Sequence, residues 1–497
     1  MNKYINIWFN KFQKYISPAM MAMILAAMIS GILLFIPPIH GLADNGDFYR
    51  AMNSNGIYRL PTNYSQFLNY VIPKFGIYQY YNENSVPVFT SQAVIVKFAV
   101  FLNKLFYSKT IFDIRFLAII YYVFFLGAIY LLTKSLVFPY RRIRSYVVAL
   151  LIVFIFADSS FTLYFNSFFA EPGMYIVMLY SFSSILAISR DCYKKRWPMI
   201  LLFFGSTLFL LTIKQQNAPL ALTFSVVAVG LMFLPNFRAR RFAIFAGIVA
   251  LIFAGAFTYS KINKEFNNVN QYQSFTHGVL METDDPGKKL SKAGVDSQYS
   301  LMRMQEYYPK TYDTVRPSSK YVEKHLINKT GMGWLIKYYI QNPKQFISLL
   351  NVSTQDIMVT QVKAVGNYTR NTGHKPKEHV KYFELYSTYV GTFFPNKYGF
   401  ICLYAFGYTI VYAISCYLDF RKHRYQGVIR FLLVFGLVTI IIFIPIISVL
   451  AAGEADLAKH QFIVPITLDL TIILFISDIL HHRLWNTVVE DGENDEE

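Results

Sequence analysis

Asp44 and Asp47 stand three residues apart in HGLADNGDFYRAMNSNGIYRL, His40 to Leu60, just after an apolar run long enough to cross a membrane. A carboxylate held by a turn at a membrane surface can take the proton of an incoming hydroxyl, or orient it. Asp-Asn-Gly is a turn signal, and Asp47 is equally readable as the cap of a helix that begins at Phe48. The spacing leaves open which of the two acids is the base. Similar residues lie hard against the ends of other apolar runs: Glu171, Lys214, Gln215, Gln216, Asn217, Glu454, Asp456, Lys459 and His460. Singly, each has a plain structural role. Glu171, before Pro172, favours a helix amino end, Lys214 and Lys459 read as interfacial anchors, and His460 reads as a satisfied interfacial histidine. Their convergence on one rim suits transfer of a sugar from a lipid phosphate. That reaction needs a base, cations on the leaving phosphate and an apolar groove for the tail.

The elements that would carry this rim are membrane spans. Of 497 residues, 54% are hydrophobic and only 15% charged, and mean hydropathy is +0.34. A water-soluble fold of that make-up would lack polar surface. About ten helical spans are readable, near 17–37, 112–133, 145–160, 173–189, 198–213, 218–235, 242–260, 400–419, 431–452 and 461–480. The fold class is therefore all-α and polytopic. The first run is read as a retained span rather than a cleaved signal, because its apolar stretch is long and a cut after Ala43 would free the acidic segment.

Net charge is +18, but the basic residues fall in short clusters between spans, YRRIR, RDCYKKR, RARR and RKHRYQGVIR. That is the pattern of cytoplasmic loops, and it argues against nucleic acid and for anionic lipid as the counter-charge. Both termini are then cytoplasmic, with Lys3, Lys11 and Lys14 at one end and EDGENDEE at the other. The rim acids fall on the extracytoplasmic side. The organisation expected is residues 1–260 with seven spans and a catalytic first outer loop over 38–111, a small outer domain over 261–399, three spans over 400–480, and an acidic tail over 481–497. The first outer loop ends in SQAVIVKFAVFLNKLF, an amphipathic helix suited to the interface. Within 261–399, GWLIKYYIQNPKQFISLL reads as two helices with Pro343 restarting the second. Cys192, Cys402 and Cys416 show no metal or disulfide spacing.

Four motifs, LADNGDFYRAMNSNGIYR, FNSFFAEP, KQQNAPLAL and GEADLAKHQFIVPITLDL, together with the order of spans and loops, resemble the GT-C superfamily of integral-membrane glycosyltransferases. More narrowly, they resemble a bacterial family of glycan-biosynthesis hexose transferases. The resemblance implies a polyprenyl-phosphate-hexose donor, an acceptor in a cell-surface glycan or lipid-linked polymer, and catalysis by an acid of the first outer loop; whether a partner enzyme makes the donor stays open. Carried over by position, that acid is Asp44 or Asp47, with Glu171 as a second acid. Lys459, His460, Lys214 and Arg370 are candidates to clamp the phosphate, and Gln215, Glu454 and Asp456 complete the rim. No cofactor is assigned, and a divalent metal stays open. The superfamily has members with and without a divalent metal, and no His/Asp pair at helical spacing points to a dedicated site here. One displacement with one base predicts inversion at the anomeric carbon. Two alternatives are a lipid-linked glycan polymerase or ligase, and a glycolipid flippase. The latter is disfavoured because charges are expected only at the ends of spans.

Overall fold

The computed structural model describes residues 13–82, 88–235, 238–281, 283–309 and 315–485. Lys3, Lys11 and the acidic EDGENDEE stretch lie outside them. Helix α1, Pro18–Phe35, starts where the Ser17 hydroxyl accepts the Met20 amide and Pro18 takes the first position, and it stops ahead of Pro37 and Pro38. Then come α2, Gln92–Phe106, α3, Arg115–Val137, α4, Ile143–Phe156, α5, Glu171–Ser189, α6, Trp197–Ile213, α7, Leu220–Val229, and α8, Arg238–Ser260. The intervening segment contributes α9, Lys264–Ser274, α10, Met332–Gln341, α11, Pro343–Asp356, and α12, Leu385–Phe393. The chain closes with α13, Tyr398–Arg421, α14, Tyr425–Ala452, and α15, Ile463–Leu480.

All the expected spans are helical. Among the described residues seven helices are long and apolar enough to cross a membrane, and an eighth span results if α4 and Ser159–Asn166 are counted as one, bent by 51°. The apolar helices Trp197–Ile213 and Leu220–Phe233 are shorter than a full crossing. Helix α5 packs on α3 and α6, α1 on α3 and α4, and α14 on α13, α7 and α15. The helix pair read around Pro343 forms as α10 and α11, with Pro343 at the first position of α11, and both pack against α14. Helix α2 buries Val96, Ala99, Val100 and Asn103 while Phe98, Phe101 and Leu105 stay exposed, the two-sided pattern of an interfacial helix.

One element was not legible as helix or span. Strands β1, Ile57–Tyr58, β2, Lys74–Ile77, and β3, Ile111–Asp113, make a three-stranded antiparallel sheet in the order β1-β2-β3. Tyr58 pairs with Gly76 and Phe75 with Phe112. Strands this short carry almost no periodic signal, so only their partners reveal them.

The expectation that charges stop at the ends of spans needs correcting. Asp469 is fully buried inside α15, where the Tyr386 hydroxyl donates to its Oδ1. At the other end of α15, about 22 Å from Ile463 at 1.5 Å per residue, Asp478 is buried between two arginines. Arg430 donates to its Oδ2 at 2.8 Å, and Arg190 pairs with its Oδ1. Arg483 lies alongside and donates to the carbonyls of Phe138, at 2.5 Å, and Leu136, at 3.2 Å, at the carboxyl end of α3. Sequence reading missed this because Asp478, Arg190 and Arg430 lie in segments far apart in the chain.

Asp478→Ala would leave buried guanidinium groups without their counter-charge, so detergent-solubilised protein should lose about 3–5 kcal/mol of unfolding free energy. Glu378→Gln, which removes a half-exposed partner of His374, should leave the thermal midpoint unchanged within error.

Candidate active site

The rim is assembled from four segments that are far apart in the chain. An aromatic floor brings the first of them in. Phe48 packs edge-on against Phe168 at 5.6 Å and Phe169 at 5.0 Å, and Phe75 of β2 meets Phe168 at 5.0 Å between ring centroids. Gln92 of α2 holds that floor by donating to the carbonyls of Phe168 and Phe169, at 3.0 and 2.7 Å. The chain then enters α5 at Glu171, so the first loop and the amino end of α5 are set side by side. The last segment docks through Gly453, at φ 63°, where a side chain would meet the His277 carbonyl at 2.3 Å. That close approach lets the Glu454 amide donate to the His277 carbonyl at 2.8 Å and turns Asp456 to His460 toward the first loop.

The two acids of the opening motif separate in surroundings. Asp44 is fully buried, accepts the Gly46 amide at 2.8 Å, and is paired with Arg59 at 2.5 Å through Oδ2. It is a turn anchor closed by a guanidinium. Asp47 has 31% of its side chain exposed and pairs with Lys459 at 2.6 Å and Arg50 at 3.4 Å. The expected cap is not formed, since the helical turn Tyr49–Met52 has no side-chain cap and the Asp47 carboxylate faces the two cations instead.

Glu171 is buried at the first position of α5, where the helix dipole favours it, and pairs with Lys214 at 2.9 Å. Gln216 donates to the carbonyls of Lys459 and His460, at 3.3 and 3.4 Å, and so ties the loop after α6 to the last rim segment. Asp47, Glu171, Lys214, Lys459 and His460 are thus gathered in one place. Gln215 is turned away and donates to the Lys261 carbonyl at 3.2 Å. Arg370 likewise donates to the Ser65 hydroxyl at 2.9 Å rather than into the cluster. Asp456 is exposed, with φ at 51°, and acts on Lys459 and His460 through its charge. Glu454 joins through its backbone. Sequence reading missed Arg59 and Arg50. Both lie within the quoted stretch, and the signal for them was a cation spaced to fold back onto each acid.

The local fields follow from this packing. Burial works to raise the Asp47 carboxyl, but Lys459, Arg50 and the more distant Lys214 outweigh it and hold it at about 2. Burial works to lower the Lys459 ammonium, and Asp47 and Asp456 outweigh it in turn, so its pKa lies above the ordinary value. Burial and then Lys214 push His460 down to about 4, with Lys459 and Arg50 adding to them and Asp456 opposing. His460 is therefore neutral at pH 7, able to donate from one ring nitrogen and accept at the other. A metal finds no free ligand set here. Each of the three buried or half-buried acids already faces a cation, and among the described residues no three His, Cys, Asp or Glu side chains gather as ligands.

Two pH dependences follow. The depressed Asp47 carboxyl contributes stability that is complete above its ordinary 3.8 and lost as pH falls toward 2. Below 6.5 the unfolded chain protonates His460 while the folded site refuses the proton until about 4, so stability should also fall over that window. Thermal midpoints of detergent-solubilised protein should decline between pH 6.5 and 4, and His460→Gln should flatten part of the decline. His40 and His277, also pushed down by burial, should account for a residue of it.

Comparison with known proteins places the chain. No curated protein matches. Among solved structures, the archaeal oligosaccharyltransferase AglB from Archaeoglobus fulgidus, in complex with an inhibitory peptide and a dolichol-phosphate, aligns at 12% identity over 97% of this chain and 53% of that one, with a TM-score of 0.36. The Archaeoglobus fulgidus oligosaccharyltransferase in complex with Zn and sulfate aligns at 11% identity over 94% and 52%, with a TM-score of 0.33. This chain spans about half the length of those two, and neither likeness bears on the site. The family described as YfdI N-terminal transmembrane domain matches residues 2–496. With the multi-pass helical fold, that match over nearly the whole length means that the chain belongs to the YfdI N-terminal transmembrane domain family.

Proposed function

We propose that the protein moves a hexose from a polyprenyl-phosphate donor to a cell-surface glycan or lipid-linked acceptor on the extracytoplasmic face, with inversion and with Asp47 as the base. The observation that carries this reading is the Asp47–Lys459 pair, 2.6 Å apart and partly open to solvent on both sides. It sets a base and a phosphate-sized cation next to one another, which is what departure of a lipid phosphate and deprotonation of an acceptor require together. Lys214, paired with Glu171, adds its positive charge to the field at Asp47. The basic clusters at the opposite ends of the helices support the orientation. In this reading Asp44 is a positioning residue that holds the turn through Arg59, and Arg370 serves the acceptor side rather than the phosphate.

The step balances as a single displacement. The acceptor hydroxyl gives its proton to Asp47, and its oxygen bonds to the anomeric carbon. The carbon–oxygen bond to the phosphate breaks with its electron pair going to the phosphate, which gains one negative charge facing Lys459.

The test is to delete the gene in its own host, restore it as variants, and weigh the surface glycans by mass spectrometry with the membrane level of each variant measured. Asp47→Asn should reach the membrane and fail to restore the hexose, a loss of about 10²–10⁴ in transfer rate. Asp44→Asn should act instead by lowering the amount of folded protein. Full restoration by Asp47→Asn would sink the reading. One observation favours a second reading, transport of a lipid-linked sugar: Asp469 lies buried inside α15. Transport predicts the reverse result, with Asp469→Asn abolishing the hexose and Asp47→Asn tolerated.

A further inference from the structure

Both cations that could hold a donor phosphate are already held by carboxylates. Lys214 is paired with Glu171 at 2.9 Å, and those side chains are only 21% and 3% exposed. Lys459 is paired with Asp47 at 2.6 Å, with 16% and 31% exposed, so this is the pair that opens to solvent on both partners. Resting on the donor reading above, we infer that the Asp47–Lys459 ion pair is a latch that the donor opens. The phosphodiester takes Lys459, and the carboxylate released in this way becomes the base for the acceptor hydroxyl.

Three features of the pair make the exchange feasible. The Lys459 ammonium also lies over the Phe169 ring, 5.7 Å from its centroid, so it keeps one partner while turning from carboxylate to phosphate. Arg50 stays 3.4 Å from the other oxygen of Asp47, so the carboxylate is not stranded when Lys459 leaves. Charge is conserved in the swap, since one anion replaces another at the same ammonium. Chemically the latch matters because a carboxylate bound to an ammonium is a weak proton acceptor. Losing that partner moves the carboxyl up from about 2 toward the range in which it can take a proton. Acceptor activation therefore waits for the donor, and an empty site does not activate water.

Donor and Asp47 then compete for one lysine, and the competition can be read without catalysis. The probe is a short-chain polyprenyl phosphate lacking its sugar, titrated into detergent-solubilised full-length protein, with the matching polyprenol as control. Wild type should bind the phosphate and not the alcohol. Asp47→Asn, which removes the competitor, should bind the phosphate about fivefold more tightly, the scale of a partly exposed ion pair, although it is inactive in transfer. Asp44→Asn, whose partner is Arg59 rather than Lys459, should show no tightening. Unchanged or weaker binding by folded Asp47→Asn, with wild type binding normally, would overturn the latch and leave the donor reading standing. Failure of wild type to bind the phosphate would overturn both. Where Asp47→Asn does not fold, infrared difference spectra of wild type on adding the phosphate give the answer. A carboxylate stretch that shifts, and shifts equally in Glu171→Gln, supports the exchange. A spectrum with no carboxylate change overturns it.

Discussion

A charge at the mouth of an apolar bundle has to be partnered, and that constraint organises this molecule. The Asp47–Lys459 pair joins residues 412 apart in the chain, and so fastens the first loop to the last. It forms only because an aromatic floor of Phe48, Phe168 and Phe169 brings the first loop against α5, and because Gly453 lets the loop after α14 approach His277 closely. Removing ions from water is costly unless the geometry pairs them well.

The opposite end of the bundle shows the structural version of the same constraint. Asp478 is completely enclosed and shared between Arg190 and Arg430, and Arg483 is spent on helix-end carbonyls. That cluster holds helices together. The rim pairs differ from it in exposure: Asp47 retains access to solvent, whereas Asp44 and Asp478 do not. Exposure rather than residue type separates the two acids of the motif: Asp47 lies at an edge open to solvent, whereas Asp44 is sealed by Arg59. Asp469 stands between these cases. It is buried within a span and answered by a tyrosine rather than a cation, and its place there removes one argument used against a transport role.

Composition and apolar runs were enough to establish a multi-pass helical protein, because a span must keep about twenty residues apolar and leaves a continuous signal. The rim residues were legible as a set for the same reason: ionisable groups at span ends stand out against their surroundings. Pro343 restarting a helix was legible as local chemistry. Pairings were another matter. Which acid meets which cation, that Gln216 rather than Gln215 faces the rim, that Arg370 turns to Ser65, and that three short strands zip the first loop together depend on contacts between distant segments. No local period encodes them. The sequence by itself determined the membrane class, the spans and the kinds of groups at their ends, since these follow from transfer between water and lipid. Only the tertiary structure decided that Asp44 is sealed by Arg59 while Asp47 meets Lys459 at an open edge, because burial and distance are properties of the packed chain.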